Sequence, residues 1–458
     1  MESFDAFWLD AVDIAWGLPL VILLVSAGIL FTLMGRFMPF RRLKHAINIL
    51  RGKYDNPDDP GEISHFQALS SALSATIGMG NIAGVAIAVT LGGPGAIFWM
   101  WVAGIVGMST KYFTCTLACL YRKKDERGID QGGPMYFIEV GLGKFFKPLA
   151  IMFALFGMIG CLAMFQTNQL SGLLYADWGF SRYATGIICS AIVGIVILGG
   201  IVRVGKVTSK VVPAMFILYV VSSLFVVLSN ASMVPDIIAS IFTSAFGGKA
   251  LIGGGTAVAF REVLVTGIKR AAFSNEAGIG TAPMAHGAAK TKEPVREGLI
   301  AMLGPFLDTN IVCTLTALVI LSSGVPVTDD GVVMTVNAFE KAMPNFGRYV
   351  MTVVIILFSI STMISYSYYS LKCSRYLFGY KFGNYYVYVY IFSLFFAAIW
   401  AQDTVINMLD TAFAMMAIPT LIGTLLLSPA VVRATKDYFK RMNDKANGKS
   451  TDMYPDVK

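Results

Sequence analysis

The sequence predicts an all-α polytopic membrane protein with about 11 transmembrane helices. Of its 458 residues, 56% are hydrophobic and only 14% are charged, and the mean hydropathy of +0.66 lies outside the range of soluble globular domains. Apolar runs of about 20 residues, long enough to cross a bilayer as helices, recur along most of the chain. Two of these runs carry glycines and polar residues at their centres, an unlikely composition for an unbroken helix.

The predicted spans leave the two chain ends on opposite sides of the membrane because their number is odd. With the N-terminus outside, 28 of the 36 lysines and arginines fall in the predicted cytoplasmic segments and five in the outer ones. This asymmetry predicts a multi-pass protein of the cell membrane, with the N-terminus outside and the C-terminus cytoplasmic. The predicted spans are 12–34, 66–91, 94–119, 147–174, 183–202, 211–229, 257–289, 297–322, 348–371, 385–401 and 404–428.

Composition argues against several other classes of protein. The net charge of +8 reflects orientation in a membrane protein, so no nucleic-acid partner is expected. The six cysteines include no Cys-x-x-Cys pair, so neither a disulfide framework nor a zinc site is indicated, and no cofactor is expected. The whole chain, 1–458, is predicted to form one transmembrane domain in contact with the lipid bilayer.

The connecting and terminal segments carry weaker signals. The outer connections 230–256 and 323–347 each contain a short apolar patch, which predicts a surface helix or an ordinary loop. The segment 203–210 is predicted to be a cytoplasmic loop. Residues 433–458 are predicted to be a cytoplasmic tail, solvated or frayed from Lys436 onward.

The stretch 72–85, ALSATIGMGNIAGV, predicts a break in a membrane helix. A break at bilayer depth frees carbonyls on one side and N–H groups on the other, which is tolerated only where they face protein, water or a polar ligand. The half helix that begins near Gly80 presents N–H groups and the positive end of its dipole, which suit a carboxylate, and Asn81 is expected to cap it. The half helix that ends before Gly78 offers carbonyls and the Thr76 hydroxyl, which suit an ammonium group or Na⁺.

A second interrupted stretch, 273–283, FSNEAGIGTAP, repeats this pattern in the second half of the chain. Phe273, Ser274 and Asn275 are expected to supply further contacts to a ligand, with Phe273 covering it, and Gly278 lies in the break. For either stretch alone, the alternative is that the glycines allow close helix packing.

The positions of the two breaks predict internal symmetry. With 12–34 set aside as an extra N-terminal helix, the breaks fall in the first and sixth spans of a ten-span core. Because five is odd, the second half, 257–428, is inverted relative to the first, 66–229. Broken helices at corresponding positions of two halves predict a 5+5 inverted-repeat transporter of the leucine-transporter type.

Acidic residues inside spans need a partner or water because each costs about 3 kcal/mol at a helix centre. Glu276 follows the second break and is expected to act in ion coupling or in bracing the broken helix. Asp308, in the next span, is expected to hold structure through Asn310 or a backbone group.

The basic residues inside spans and the histidines each allow more than one role. Lys269 and Arg270 precede the second break on its predicted outer side. They are expected to gate entry, to pair with Glu262 or to snorkel to the interface. Lys111, near a helix end, is also expected to snorkel. No metal-binding or catalytic spacing links the three histidines, and a role in proton coupling is a minor alternative for His286.

Several long strings closely resemble the alanine or glycine:cation symporter family, and the match runs through nearly every span. The resemblance implies the leucine-transporter fold, Na⁺ or H⁺ coupling, and alanine or glycine as the substrate. Tyr366 stands where many members have tryptophan. The matching strings are GMGNIAGVA (78–86), GGPGAIFWMW (92–101), GGPMYFIEVGLG (132–143), QTNQ (166–169), KRAAFSNEAGIGTAP (269–283), FLDTNIVCTLTALVIL (306–321) and FSISTMISYSYY (358–369).

The resemblance also implies a sodium site between the first broken helix and the eighth core helix. Its ligands would be carbonyls at or near Ser74, Ile77 and Phe358 and the hydroxyls of Ser361 and Thr362, a set of hard oxygen ligands. The alternative is that these hydroxyls bond back to their own helices.

The substrate pocket is expected to use both breaks and the third core helix. On that helix, Gln166 and Asn168 either line the pocket or act as polar links between helices. The candidate substrate-binding residues are Thr76, Ile77, Gly78, Gly80, Asn81, Gln166, Asn168, Phe273, Ser274, Asn275 and Gly278.

These observations favour a symporter that couples Na⁺ influx to uptake of alanine or glycine by alternating access. An ion channel that uses the broken-helix carbonyls as a filter is the alternative. An intramembrane enzyme is disfavoured because Ser274, Asn275 and Glu276 have no neighbouring histidine or lysine base at a suitable spacing.

Overall fold

The computed structural model describes residues 2–246, 256–326 and 331–446, and these are almost entirely helical. The described strands, Lys123–Lys124 (β1) and Asp130–Gln131 (β2), form one short antiparallel pair. The α-helices of the first half are Glu2–Ala15 (α1), Leu18–Met34 (α2), Met38–Arg41 (α3), Leu43–Leu50 (α4), His65–Thr76 (α5), Met79–Gly92 (α6), Gly95–Leu120 (α7), Pro134–Leu142 (α8), Lys147–Gly160 (α9), Met164–Trp178 (α10), Arg182–Ile197 (α11), Gly200–Ser229 (α12) and Val234–Ala245 (α13).

The second half contains nine further α-helices and one π-helical segment, Phe306–Cys313, among the described residues. The α-helices are Thr256–Asn275 (α14), Ala282–His286 (α15), Pro294–Ala301 (α16), Leu303–Pro305 (α17), Thr314–Ser323 (α18), Gly331–Ala342 (α19), Gly347–Gly383 (α20), Tyr386–Ala397 (α21) and Gln402–Ala446 (α22).

One or more helices lie at each of the eleven predicted spans. By length and hydropathy, six of the described helical stretches are able to cross a membrane, or seven if α1 and α2, which are bent by 44°, form one span. The helical, multi-pass class is therefore supported, while the count of eleven spans and the inverted repeat stay predictions.

Helices α12 and α22 extend beyond the predicted membrane edges. The segment 203–210, predicted as a loop, lies inside α12, and the predicted frayed tail begins as the last part of α22. Tyr438 there is buried, and the Arg441 guanidinium lies 2.8 Å from a Glu293 carboxylate oxygen. The two predictions were wrong because hydropathy marks where apolar residues stop, whereas a helix continues while packing supports it. Residues 447–458 lie outside the described residues.

The predicted span 147–174 is interrupted between α9 and α10. Ala163 adopts a left-handed conformation with a φ of 52° immediately before α10. Such a conformation is uncommon for a non-glycine residue. This break was not predicted: Gly160 directly precedes it, but residues 161–163 are apolar, unlike the polar surroundings of the two predicted breaks.

Helices α13 and α19 occupy the two long connections predicted to lie outside, which confirms the helical alternative for both. Helix α19 does not lie on the surface, because Val336 and Phe339 are fully buried and the Thr335 hydroxyl donates to the Ile82 carbonyl at 3.3 Å. This helix therefore packs directly on α6, just after the first break.

Candidate functional site

The first break lies between α5 and α6, as predicted. Ile77 is extended, with a ψ of 98°, and the N–H of Gly78 donates to the Asn81 side-chain oxygen at 2.7 Å. Gly78 is therefore the N-cap of α6, and Asn81, at the third position of the helix, caps it through its side-chain oxygen.

The second break lies between α14 and α15 and is tighter than the first. Glu276, Gly278 and Gly280 all have positive φ angles, of 55°, 90° and 103°. The Asn275 side-chain oxygen accepts from the N–H of Ala277 at 2.9 Å. Only five residues of helix follow, in α15, so the predicted span to residue 289 ends earlier than expected.

The two breaks meet at Gly80. A Cβ atom on Gly80 would lie 3.2 Å from the Cα atom of Ser274, so only glycine permits this approach without movement of the neighbouring backbone. The Asn81 amide then donates to the Ser274 hydroxyl at 3.0 Å and to an Asp308 carboxylate oxygen at 2.7 Å. Ser274 also donates to Asp308 at 2.9 Å.

These contacts correct the predicted partner of Asp308 and show what the Asn81 amide binds. The partners of Asp308 are Asn81 and Ser274, together with Thr309, and not Asn310. All four of these residues are buried. The Asn81 amide bonds both to Ser274, at the second break, and to Asp308, in the π-helical segment. Asn81 therefore links the two breaks to that segment.

The predicted sodium ligands lie together between α5 and α20. The Thr362 hydroxyl donates to the Ser74 carbonyl at 2.9 Å and to the Phe358 carbonyl at 3.0 Å. The Ser361 hydroxyl lies 3.0 Å from the same Phe358 carbonyl. These side chains and Ile77 are at most 2% exposed.

The first break closes the remaining side of this oxygen cluster. A Cβ atom on Gly78 would lie 2.6 Å from the Thr362 hydroxyl oxygen, so α20 contacts the extended backbone there. The Thr362 hydroxyl bonds back to its own helix, as the alternative expected, and also reaches across to α5. Its role as a sodium ligand stays a prediction. The cluster offers carbonyl and hydroxyl oxygens, the ligand type that suits an alkali cation. The Met215 sulfur lies beside it, 3.4 Å from the Ser361 hydroxyl oxygen.

The polar residues near α10 divide into different roles. Gln166 is 4% exposed, and its side-chain oxygen has no hydrogen-bond partner within the described ranges. The Asn168 amide donates to the Ala397 and Trp400 carbonyls at 3.0 and 2.9 Å, as a polar link to α21. The Thr76 hydroxyl bonds to its own helix, to the Ala72 carbonyl at 3.2 Å.

Aromatic rings enclose the region beside the second break. The ring of Phe273 lies 5.2 Å from that of Phe165 and 5.5 Å from that of Phe413. The Arg270 guanidinium sits 5.0 Å from the Phe273 ring centre. The sequence analysis singled out neither Phe165 nor Phe413, because a phenylalanine in an apolar span carries no local signal.

Glu276 braces the second break. Its carboxylate accepts hydrogen bonds from the Thr281 hydroxyl, on the far side of the break, and from the Tyr366 hydroxyl on α20. Lys111 is 2% exposed and interacts electrostatically with both Glu276 and Asp308. The prediction that Lys111 snorkels was therefore wrong, because its side chain is buried among the helices with two carboxylates in electrostatic range.

An ion-pair cluster closes the site on its predicted outer side. Lys269 lies 2.9 Å from a carboxylate oxygen of Asp410 on α22, and Arg270 donates to the same oxygen. The pairing of these cations with Glu262 was therefore wrong, and so was snorkelling for the buried Arg270. Asp410 was missed, although an acidic residue inside a predicted span was an available signal.

A cavity of about 760 Å³ lies beyond this cluster and is lined by Asp410, Lys269 and Arg270 among others. The extra N-terminal segment reaches this cavity through Trp16, whose indole N–H donates to the Asp410 backbone carbonyl at 2.8 Å. Gly278 also contacts this segment, since a Cβ there would lie 2.7 Å from a methyl group of Leu24. Gly278 is therefore packed against the helix that carries Leu24.

A second cluster ties the two broken helices on the predicted cytoplasmic side. His65 at the start of α5 and His286 at the end of α15 both contact the buried carboxylate of Glu297, the latter at 2.6 Å. Nearby, the N–H of Lys290 donates to the Ile63 carbonyl at 2.7 Å. No sequence spacing linked the histidines; the fold brings two of them to one carboxylate.

Comparison with known proteins places this geometry in context. Residues 1–452 match the family model described as the sodium:alanine symporter family. The sodium/alanine symporter AgcS of Methanococcus maripaludis is 41% identical over 445 residues, which cover 94% of this chain and 97% of that protein. The probable sodium/glutamine symporter GlnT of Bacillus subtilis is 34% identical over 457 residues, which cover 97% and 92%.

Among solved structures, a variant of the Eremococcus coleocola manganese transporter is similar, with a TM-score of 0.55 at 10% identity. The similarity covers 81% of this chain and 82% of that one. It shows a shared fold and carries no information about the ligand.

Proposed function

Since the chain belongs to the sodium:alanine symporter family, whose members are transporters and not enzymes, we propose that it carries alanine or glycine into the cell with Na⁺ by alternating access. Sodium-coupled transport of an amino acid follows from the family; the choice of alanine or glycine, the orientation and the site residues are our proposal. Neither the family nor the fold supports the channel alternative.

The observation that carries the proposal is the buried oxygen cluster between α5 and α20. Ser74, Phe358, Ser361 and Thr362 place carbonyl and hydroxyl oxygens within hydrogen-bond distance of one another across two helices. A cation bound among them would hold the first break against α20. Removing the cation would free α5 to move, which links ion binding to conformation.

The substrate would bind between the two breaks and α10. The free N–H groups at the start of α6 suit its carboxylate, and the unpaired, buried side-chain oxygen of Gln166 suits its ammonium group. Phe273, with Phe165 and Phe413, would limit the space beside the side chain. Close aromatic packing favours a small side chain.

Alternating access would use the clusters at the two ends of the site. Outward opening would separate Lys269 and Arg270 from Asp410, and inward opening would separate the elements that meet at Glu297. One Na⁺ moving through about 100 mV contributes roughly 2.3 kcal/mol, or near fifty-fold accumulation of substrate. The membrane potential alone therefore supplies an adequate driving force.

The direct test is binding of alanine, glycine and leucine to the purified full chain, first in NaCl and then in choline chloride. We expect alanine or glycine to bind only in NaCl and leucine to bind in neither salt. Binding of alanine that is equally tight in choline chloride would contradict sodium coupling. Tight binding of leucine would contradict the small-substrate assignment.

Gln166→Leu is expected to weaken alanine binding roughly tenfold or more, because a hydrogen bond to a charged group contributes about 1.5–3 kcal/mol. The measurement is alanine affinity by calorimetry in saturating NaCl. The matched control is Thr167→Ala on the same helix, whose hydroxyl bonds only to the Ala163 carbonyl of its own chain segment, at 3.3 Å. Unchanged alanine affinity in Gln166→Leu would remove this residue from the substrate site.

A further inference from the structure

A small cavity lined by cations lies where α2 ends and α22 leaves its apolar stretch. Its volume is about 160 Å³. We call it the basic cavity. Four of its lining residues are basic and none is acidic; the basic ones are Arg36, Arg41, Arg42 and Lys436.

The charges of the basic cavity are not neutralised by the described part of the protein, in which none of the four cations forms an ion pair. Arg42 instead stacks its guanidinium 4.1 Å from the centre of the Phe439 ring. Arg41 donates to the backbone carbonyl of Arg36 at 3.4 Å. Four positive groups around one small cavity repel each other unless an anion lies among them.

His45 lies near this cluster without adding to its charge. Burial lowers the pKa of His45 to about 4, and the nearby charges of Arg42, Arg296 and Lys53 act in the same direction. Its ring hydrogen-bonds to the Tyr438 hydroxyl at 2.8 Å. At neutral pH the positive charge of the cavity therefore comes from the three arginines and the lysine.

The cavity lies at the edge of the apolar part of the protein. Arg36 follows Gly35, the residue that caps the end of the apolar helix Leu18–Met34. Just beyond, Phe40, Leu43 and Ile47 are all exposed, at 59%, 39% and 37%. Leu43 and Ile47 are four residues apart and lie on one face of α4, while Phe40 precedes them on α3. We call these three residues the exposed stripe; Arg41, Arg42 and Lys44 stand between and beside them in the chain. Such an amphipathic segment lies at the boundary between lipid headgroups and acyl chains.

We propose that the basic cavity binds the phosphate headgroup of an anionic phospholipid, with its acyl chains along the exposed stripe of α3 and α4. Arginine guanidinium groups recognise phosphate oxygens with paired N–H donors. Cationic pockets beside membrane helices attract anionic headgroups of the cytoplasmic leaflet. The assignment to that leaflet rests on the proposed orientation, with the N-terminus outside; the apolar stripe selects a lipid over free phosphate.

The test uses the full chain in detergent and measures binding of phosphatidylglycerol and of phosphatidylcholine with identical acyl chains, by native mass spectrometry. We expect saturable binding of phosphatidylglycerol and much weaker binding of phosphatidylcholine. The variant with Arg36, Arg41, Arg42 and Lys436 all changed to glutamine is expected to lose the tightly bound lipid. Lys436→Gln alone, at an exposed position, is expected to weaken binding roughly fivefold.

The matched control removes four exposed charges elsewhere, at Lys124, Lys206, Lys210 and Lys381, again by change to glutamine. Equal losses of lipid in both fourfold variants would show general electrostatic attraction and overturn the site. Displacement of the lipid by inorganic phosphate at matched concentration would assign the cavity to a soluble anion and overturn the lipid. Unchanged binding of phosphatidylglycerol to Lys436→Gln, in a protein that elutes as the unaltered chain does, would also contradict the proposed lipid site.

Discussion

Thr362→Ala is expected to abolish Na⁺-driven uptake of alanine while leaving the protein folded. The hydroxyl lies 2.9 Å from the Ser74 carbonyl and 3.0 Å from the Phe358 carbonyl, at the centre of the proposed sodium site. Its removal takes away one hard oxygen ligand and the contact between α20 and the first broken helix. A contact to a charged group is worth about 1.5–3 kcal/mol, so Na⁺ affinity should fall roughly ten- to 150-fold.

The measurement is the Na⁺ dependence of alanine binding to purified protein, followed by uptake into proteoliposomes. Thr362→Ser keeps the hydroxyl and is the matched control, expected to retain most of the Na⁺ affinity. Ser367→Ala is a second control, because that buried hydroxyl on the same helix bonds to the Ile364 carbonyl of its own turn. A normal Na⁺ dependence in Thr362→Ala would move the sodium site elsewhere.

Asp410→Asn is expected to be the most damaging single change on the predicted outer side. The buried carboxylate pairs with both Lys269 and Arg270. Its neutralisation leaves two cations without a partner at a site where breaking a buried pair costs about 3–5 kcal/mol. The outer closure should fail, and uptake should fall at least a hundredfold.

Two readouts separate loss of closure from loss of folding. Labelling of a cysteine placed at Ile87, which lines the outer cavity, should become faster in Asp410→Asn. Lys269→Gln leaves the Arg270 pair and should have a smaller effect. Asp403→Asn, on the same helix and in the same cavity, is the matched control and should leave uptake nearly unchanged. Equal uptake in Asp410→Asn and Asp403→Asn would show that the ion pairs do not gate the site.

Sequence reasoning located the helices and the breaks better than their ends. The first break was predicted from Gly78, Gly80 and Asn81 and lies there in the structure. Hydropathy, however, ended the last helix near residue 428, whereas α22 continues to Ala446. Apolar composition reports contact with lipid, and a helix persists beyond the lipid wherever side chains such as Tyr438 are packed.

The candidate site was predicted in part. The residues that the family resemblance marked as sodium ligands lie together around Thr362, since that pattern links positions far apart in the chain. That they bind Na⁺ stays a prediction. Asn168 and Thr76 instead bond to nearby carbonyls, because a polar side chain in a span is satisfied by whichever acceptor the packing supplies. No local pattern could distinguish those two roles.

What the sequence determined by itself was the membrane class, the two broken helices and the family. These are local properties, because a bilayer requires each segment to satisfy its own backbone, so glycines and polar residues in an apolar run stand out. The tertiary structure alone decided the pairing of Asp410 with Lys269 and Arg270 and the meeting of His65 and His286 at Glu297. Those contacts depend on which distant helices pack together, and the periodicity of one helix does not identify its partner.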